Sequence, residues 1–390
     1  MPECAPNVLK VVCLIRTAEE GSGLRVGIEI ARISAFDTAV ATNPDATSGN
    51  GPSLFPSTGE YPAYDTLTYR VMASDSIRNE CFRAALAATV PGRIVLDIGT
   101  GQRLHWAHES VLLGAKHVTA MEVMESSYRK AAKNVRAWHL EDAVTLRHGS
   151  STDFDLERSV DVCVAEIVGS LAGAEGAAAV LSHARATHLK HDAIVIPHRA
   201  VTMAAAVSLR SVLNQDPVAF SSGAVPYVEK LFEINGQPFD VRLRVSKPEL
   251  AAIVSDTAEA EVLEFNGQIS TDQDRELTLT VLKDGVADGI LTWLRLWCCP
   301  GQSPVDALHR STHWATIYFP LFSHEVPVRA GDQLQLKFRV ALSDDRIHPD
   351  YHLSASLRSR DRIHHGQWSA LHHGGEFRAH PIYRTLFPSQ

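Results

Sequence analysis

Two glutamates, Glu166 and Glu175, stand nine residues apart around the glycine-interrupted stretch IVGSLAGA. Paired carboxylates have two common uses, which are to share one proton or to hold a cation at two points. A guanidinium is planar, permanently charged and rich in N–H donors, so two fixed carboxylates match it well. The alternative interpretation is that Glu175 merely begins the next helix, where the helix dipole favours an acid.

A glycine turn, LDIGTG, precedes this pair in the chain. Gly99 and Gly101 would let the backbone approach a ligand closely at the start of a helix. A dinucleotide-binding turn needs a third glycine where Leu104 stands, and a methyltransferase turn needs one where Arg103 stands. Glu122 ends the next predicted strand, at a spacing typical of an acid that binds ribose hydroxyls. The incomplete dinucleotide pattern favours S-adenosylmethionine over NAD as the ligand, and a plain tight turn is the alternative.

The elements that must position these residues alternate between strand and helix. This alternation predicts a doubly wound parallel sheet, and ligands of such sheets bind beyond the carboxyl ends of the strands. After residue 198 the pattern changes to period-2 strands separated by turns, which predicts an all-β sandwich or barrel. The predicted strands are 94–98, 117–122, 143–146, 160–166 and 193–196, and the predicted helices are 104–113, 125–138 and 175–189.

The changes of pattern divide the chain into four parts. Residues 1–44 form a strand-rich extension, residues 45–60 a linker, residues 61–198 the α/β domain and residues 199–390 the β domain. Within the last part, residues 211–240 are less strand-like and carry apolar side chains. We predict that they form an arm that packs on a partner.

Composition excludes several classes of function. The chain has 37 basic and 45 acidic residues, a net charge of −8, so we expect neither nucleic acid nor an anionic membrane as a partner. No apolar run of about 18 residues predicts a membrane span, and the N-terminus does not resemble a signal peptide. Scattered cysteines in apolar runs predict reduced thiols in the cytoplasm. The histidine pairs at 364–365 and 372–373 lack metal-ligand spacing, so we predict surface histidines and no metal.

Several motifs occur together in one order along the chain. These are Tyr69-x-x-Met72-x-x-Asp75-x-x-Arg78, VLDIGTG, Glu122, the pair Glu166 and Glu175, Pro197-x-Arg199-Ala200, and Thr312-His313-Trp314. On these motifs the chain resembles the protein arginine N-methyltransferase family from about residue 61 to residue 345, nearest the monomethylating branch. The resemblance implies a Rossmann-like methyltransferase domain that binds S-adenosylmethionine, followed by a β-barrel with an inserted dimerisation arm and a homodimeric assembly.

The resemblance also implies how the cofactor is held. Arg78 would pair with the methionine carboxylate, Asp97 would steady the turn formed by Gly99 and Gly101, and Glu122 would hold the ribose hydroxyls. Ser151, Thr152 and Asp153 fall where the chain of the family passes the adenine amino group.

The substrate pocket follows from the same resemblance. Glu166 and Glu175 would clamp the guanidinium, and His313 and Trp314 would form the wall of the pocket, with His313 counted among the catalytic residues. The entry helix would contribute Tyr69 beside the pocket and Met72 beside the sulfonium.

The function implied is methylation of an arginine ω-nitrogen. Free L-arginine is slightly favoured as the substrate, because the chain contains no obvious protein-recruiting module, and an arginine-containing protein or peptide is the alternative. A second alternative is a non-catalytic scaffold in which Arg103 has spoiled the cofactor site. A third, methylation of an oxygen or carbon atom, agrees poorly with paired glutamates, which suit a cation.

Overall fold

A computed structural model of the chain describes residues 51–57, 72–220, 242–359, 362–372 and 376–387. Three predictions concern other residues: the extension 1–44, Tyr69, and the greater part of the arm 211–240. They remain predictions.

Strands and helices alternate over most of the described chain up to residue 196. The elements are β1 (Ser53–Ser57), α1 (Ser76–Thr89), β2 (Ile94–Ile98), α2 (His105–Leu112), β3 (His117–Glu122), α3 (Glu125–Ala137), β4 (Val144–His148), β5 (Val160–Ala165), α4 (Ala177–Thr187) and β6 (Leu189–Ile196). Helix α4 begins later than predicted, because its N-cap residue Gly176 has a left-handed backbone with φ of 83°. Glu175 therefore lies in the loop before the helix, and the interpretation that it merely begins the helix is wrong.

Strands β2 to β6 form one parallel sheet in the order β4-β3-β2-β5-β6. The chain builds outward from β2 to β4 and then returns to the other side of β2, so the strand order reverses between β2 and β5. Parallel sheets bind ligands at such a reversal, beyond the carboxyl ends of the strands. The Gly99–Gly101 turn follows β2 directly and Glu166 follows β5 directly. The predicted doubly wound sheet is confirmed.

The remaining chain is rich in antiparallel strands, as predicted. Its elements are β7 (Arg199–Val207), α5 (Leu209–Leu213), β8 (Arg242–Ser246), β9 (Ala258–Glu264), β10 (Gln273–Thr280), β11 (Gly285–Ala287), β12 (Gly289–Trp297), β13 (Val305–Asp306), β14 (Thr316–Pro320), β15 (Val326–Val328), β16 (Gln333–Leu342), β17 (Pro349–Ser359), β18 (Arg362–Ala370) and α6 (Pro381–Leu386). One sheet has the order β1-β8-β14-β12-β7-β9 with β13 beside β12, a second has the order β10-β16-β17-β18, and β11 pairs with β15.

The burial of these strands follows their sequence patterns. In β16, QLQLKFRVAL, the apolar residues from Leu334 to Val340 are buried and alternate with exposed polar residues, as expected for a sheet with one solvated face. By contrast, β12 is buried on nearly every residue and lies in the middle of its sheet, between β14 and β7. The core of the β-rich part therefore lies around β12.

The predicted linker 45–60 contains a strand. Residues Ser53–Ser57 pair antiparallel with β8 at the edge of the larger antiparallel sheet. Proline is compatible with an edge strand because one side of that strand needs no donor, which explains Pro56 in this position. The serine- and proline-rich composition therefore concealed the pairing, and this part of the linker prediction needs correction.

Two predictions made from composition can be compared with the described residues. Cys81, Cys163, Cys298 and Cys299 are free thiols. None of the helices in the described ranges combines the length and the apolar character needed to cross a membrane.

Candidate active site

A cavity of about 180 Å³ opens beyond the carboxyl ends of the parallel strands. It brings together most of the predicted site residues, namely Met72, Arg78, Gly99, Gly101, Glu122, Ser151, Glu166 and Glu175. The predicted residues outside its lining are Asp97, Thr152, Asp153, His313 and Trp314.

The glycine turn forms one wall of this cavity. Gly99 has a φ of 75°, and a Cβ atom there would lie 2.9 Å from the Cγ2 atom of Ile167, so a larger residue would be strained and crowded. The backbone N–H of Gly101 donates to Oε2 of Glu122 at 2.9 Å, and the N–H of Met124 donates to Oε1 at 2.8 Å. Burial raises the pKa of Glu122, against the lowering effect of these bonds. The buried carboxylate thus joins the turn to the end of β3.

Asp97 lies beneath the turn and is fully buried. Its Oδ2 atom accepts hydrogen bonds from the Thr100 hydroxyl at 2.6 Å and from the Ala107 backbone at 2.9 Å. Burial raises the pKa of Asp97 to about 7, although these two bonds lower it. Asp97 therefore ties the glycine turn to helix α2 and does not face the cavity.

Arg78 and Glu166 form an ion pair with almost no solvent exposure, 4% and 6% of their side chains. The guanidinium Nη1 also donates to the Met72 carbonyl and to the Asn79 side chain, both at 2.9 Å. Its Cζ atom lies 4.9 Å from the centre of the Trp106 ring, within range of a cation–π interaction. The buried Nε of Arg78 has no hydrogen-bond partner within the described structure. A donor therefore remains for an acceptor that enters the cavity.

Asp75 links this ion pair to His313, over a separation of 238 residues. It caps helix α1, because its Oδ1 accepts from the Arg78 backbone N–H at 3.0 Å. Its Oδ2 accepts from both the backbone N–H and the ring Nδ1 of His313, each at 2.9 Å. The ring Nε2 of His313 lies 3.5 Å from Oε1 of Glu166. These four residues, with the main chain of Arg78 as one link, therefore close a ring of contacts behind the cavity.

The pKa shifts in this ring have separate causes. Burial would raise the pKa of Asp75, but the hydrogen bonds from His313 and Arg78 outweigh it and lower the value. Burial lowers the pKa of His313, although Asp75 and Glu166 act in the opposite direction. A neutral imidazole beside a carboxylate carries its proton on the nitrogen that donates, which is Nδ1 here. The lone pair of Nε2 then faces Glu166.

The loop that carries Glu166 and Glu175 is anchored to the β-rich part. The Ala172 N–H donates to the Thr202 hydroxyl at 2.9 Å, and the Gly173 N–H donates to Oε2 of Glu261 at 3.3 Å. The Thr202 hydroxyl donates in turn to the same oxygen at 2.7 Å. Glu261 is buried, which raises its pKa to about 6. Sequence reasoning missed this anchor, because a glutamate inside an alternating strand looks like an ordinary exposed residue.

Trp314 supports the beginning of the same loop. Its indole N–H donates to the Val168 carbonyl at 2.9 Å. The centres of the Trp314 and His313 rings are 4.0 Å apart. Both side chains are therefore next to the glutamate loop, but neither lines the cavity. Their place in the wall of the arginine pocket remains a prediction.

The short turn after β4 holds the residues predicted near adenine. Ser151 lines the cavity and its buried hydroxyl has no partner in the described part of the chain. Thr152 and Asp153 are exposed, and the Asp153 carboxylate accepts from the Ser150 N–H at 2.9 Å to complete a capping box. Ser151 therefore faces the cavity, whereas Thr152 and Asp153 shape the turn.

Arg103, which the scaffold alternative placed at the cofactor site, lines the cavity, as do His105 and Ile347, which no prediction named. Burial lowers the pKa of His105 to about 4, helped by Arg78 and other nearby cations, and its Nε2 is buried without a partner in the described structure. The polar residues after the glycine turn were the available signal for Arg103 and His105. Ile347 enters from the distant turn between β16 and β17, which no local pattern could indicate.

The cavity combines two chemical features. A glycine turn and a strand-end carboxylate suit a nucleoside, while Glu166 and Glu175 place two carboxylates at the same cavity. Such a pair suits a planar cation.

Comparison with known proteins agrees with this geometry. The arginine N(omega)-methyltransferase of Streptomyces achromogenes subsp. streptozoticus is 30% identical over 275 residues, covering 68% of this chain and 74% of that protein. The chain belongs to the arginine N-methyltransferase family. The resemblance inferred from the motifs is thereby confirmed.

Two further matches are more distant. Protein arginine N-methyltransferase 7 of Drosophila yakuba is 28% identical over 246 residues, which is 57% of this chain but only 35% of that protein. The Trypanosoma brucei PRMT1 enzyme-prozyme heterotetramer with AdoHcy superposes with a TM-score of 0.61 at 17% identity, covering 77% of this chain and 96% of that one. This structural likeness supports the fold. No protein-family model matches the chain.

Proposed function

We propose that the protein methylates an ω-nitrogen of the arginine guanidinium, with S-adenosylmethionine as the methyl donor and free L-arginine as the favoured substrate. The observation that carries this proposal is one cavity lined by the glycine turn, by Glu166 and by Glu175. When bound, S-adenosylmethionine supplies a methyl group already activated by a positively charged sulfur. The residues of the chain therefore have to bind, orient and exclude water.

The cofactor would be held by polar atoms that lack partners in the described structure. The Nε donor of Arg78 suits the methionine carboxylate, and the Ser151 hydroxyl suits the adenine end. Glu122 keeps acceptor capacity for ribose hydroxyls, because each carboxylate oxygen has two lone pairs and each now accepts one backbone N–H. Met72 lines the cavity beside Arg78, where it would border the sulfonium.

Glu166 and Glu175 would then activate the guanidinium. This group is a poor nucleophile, because its lone pairs are delocalised and its pKa exceeds about 12. Two carboxylates draw positive charge onto the nitrogens that they bind, so the remaining nitrogen gains lone-pair character and accepts the methyl group. Its proton leaves after the transfer. Positioning and electrostatics together would contribute on the order of several kcal/mol to the acceleration.

The ring behind the cavity would hold Glu166 in position. Arg78 binds its Oε2 and leaves Oε1 toward His313. Asp75 keeps the proton of His313 on Nδ1, so Nε2 does not donate to Oε1 of Glu166 and leaves this oxygen to the guanidinium. This arrangement fixes one carboxylate of the clamp before the substrate arrives, which reduces the reorganisation needed in the reaction.

The choice of free arginine is supported by the Streptomyces relative, whose name specifies arginine. The name of the Drosophila relative specifies protein arginine, so a peptide substrate is the alternative. The test is to incubate the full chain with S-adenosylmethionine and equal concentrations of L-arginine and an arginine-rich peptide, with mass spectrometry of both. Methylated L-arginine as the main product supports the proposal. A product only on the peptide supports the alternative.

A scaffold without activity makes a different prediction. Calorimetry with S-adenosylhomocysteine would then detect no binding, whereas the proposal requires binding to one site per chain. We further propose a cytoplasmic homodimer assembled through residues 211–240. Deletion of 221–240 would convert the dimer to a monomer in analytical ultracentrifugation, and an unchanged dimer would contradict this role of the arm.

A further inference from the structure

A second cluster of titratable side chains lies next to the start of strand β17 and the end of strand β18. Asp345 and His348 belong to the turn between β16 and β17, and His372 follows β18. Oδ2 of Asp345 lies 2.5 Å from Nδ1 of His348 and 3.3 Å from Nε2 of His372. The ligand atoms of the three residues all lie within 4.8 Å of one another.

The turn itself orients the carboxylate. The other oxygen of Asp345, Oδ1, accepts from the Ser343 hydroxyl at 2.9 Å and from the backbone N–H groups of Ile347 and His348, each at 2.8 Å. Burial would raise the pKa of Asp345, but the bonds from His348 and from the turn hold it well below its ordinary value. These partners fix the carboxylate in the way that outer-sphere hydrogen bonds fix metal ligands.

We propose that Asp345, His348 and His372 bind one divalent transition-metal ion, with Zn²⁺ as the best match. Two imidazoles and one carboxylate are ligands that zinc takes, with water in the fourth position of a tetrahedron. The Asp345 side chain is 33% exposed, which gives the ion a path of entry and room for that water.

Binding of an ion requires a small change of distance and a rotation of one imidazole. Tetrahedral ligands at about 2.0–2.1 Å from zinc are separated by roughly 3.3 Å. His372 already lies at 3.3 Å from Asp345, whereas His348 lies at 2.5 Å and would withdraw by about 0.8 Å. The two imidazole rings are stacked in parallel with centres 4.1 Å apart, so one ring has to rotate before both nitrogens can direct their in-plane lone pairs at one ion.

The side chain of His372 lies less open to solvent than the prediction of a surface histidine implies. Its side chain is only 7% exposed. The spacing of residues along the sequence could not reveal the cluster. Strands β17 and β18 pair antiparallel, with Tyr351 opposite Ala370, and this pairing brings His372 back to the turn before β17. The ligands are therefore neighbours in the sheet but remote in the sequence.

The turn also reaches the cavity described above. Ile347 lines that cavity, and its Cγ2 atom is 2.6 Å from the position of a Cβ atom built on Gly176, next to Glu175. An ion at the cluster would fasten this turn to the end of β18 and so hold one wall of the cavity. This consequence rests on the proposed function, whereas the metal site does not.

The test is a calorimetric titration of the untagged, EDTA-treated full chain with ZnCl₂. We expect one tight equivalent per chain in the wild type. The Asp345→Asn variant keeps an oxygen for the turn but loses the anionic ligand, and His372→Gln loses an imidazole, so both should bind this equivalent at least roughly tenfold more weakly. The control is His365→Gln, an exposed histidine of β18, because the chain has 19 histidines that could bind zinc weakly.

Circular dichroism and melting in EDTA establish that the variants are folded. Replacement of zinc by Co²⁺ should give the visible absorption of tetrahedral cobalt in the wild type and the control, and neither ligand variant should show it. The absence of a tight equivalent in the wild type, or equal binding in all variants, would overturn the proposal. Methyltransferase activity is not a readout here, so failure of the metal site and failure of the proposed function remain distinguishable.

Discussion

The substitution Asp75→Asn removes the charge that organises the ring behind the cavity. The carboxylate accepts three N–H groups, one from Arg78 and two from His313. An asparagine whose oxygen keeps the Arg78 bond turns its amide NH₂ toward His313. The imidazole of His313 can respond by moving its proton to Nε2, so that Nδ1 accepts from the amide. The backbone N–H of His313 then loses its partner.

The size of the effect follows from these bonds. A hydrogen bond to a charged group contributes about 1.5–3 kcal/mol, and the changed tautomer recovers part of what is lost. We expect a fall of about 2 kcal/mol in the free energy of unfolding. The new Nε2–H points at Oε1 of Glu166, 3.5 Å away, and competes with the guanidinium for that oxygen. Turnover should therefore fall by roughly 10²-fold.

The assay is a steady-state measurement of methyl transfer with a thermal melt of the same samples. The matched control is Asp161→Asn, which removes a carboxylate that also accepts a backbone N–H, from Ile94, but whose other partner is the exposed Lys190. The control should keep wild-type turnover. If Asp75→Asn turned over like the control, the position of the proton on His313 would have no effect on the clamp at Glu166.

Three further predictions concern stability and binding. Glu166→Gln leaves the buried Arg78 guanidinium with a neutral partner and should cost about 3 kcal/mol of unfolding free energy; a melting temperature equal to that of the wild type would contradict this. Burial raises the pKa of Glu261 to about 6 from 4.5, so its stabilising contribution is complete below pH 4.5 and is lost as the pH rises through 6. Glu261→Gln has no such loss. In urea titrations its free energy of unfolding, relative to that of the wild type, should therefore rise by about 2 kcal/mol between about pH 4 and pH 8. A difference that does not change with pH would refute the role of burial. Arg103→Gly removes an exposed cation from the cavity lining and should weaken S-adenosylhomocysteine binding roughly threefold in calorimetry; tighter binding would mean that Arg103 crowds the cofactor.

The parts of the site that follow strand ends could be predicted from the sequence. The glycine turn after β2 and Glu166 after β5 are local features, and parallel strands bring their carboxyl ends to one edge. Buried apolar strands with glycine at their ends therefore predict both the sheet and the place of its ligand. The position of Glu175 before its helix depends on the left-handed backbone of Gly176, which the glycine in the sequence permits but does not require.

The parts that depend on tertiary pairing could not be predicted. Asp75 caps helix α1, and only the packing of the two parts of the chain places it against His313. Glu261 sits on an alternating strand and becomes an anchor only because the glutamate loop packs on that strand. Ser53–Ser57 becomes a strand by pairing with β8 rather than by any pattern of its own. Each of these depends on contacts between residues far apart in the chain.

The central claim is that Glu166 and Glu175 grip the guanidinium beside the cofactor. Its most direct test is the turnover of Glu166→Gln and Glu175→Gln with L-arginine and saturating S-adenosylmethionine, together with calorimetric binding of S-adenosylhomocysteine. We predict that each variant loses at least roughly 10²-fold in turnover while the cofactor analogue still binds. Turnover at the wild-type rate in both variants would contradict the claim.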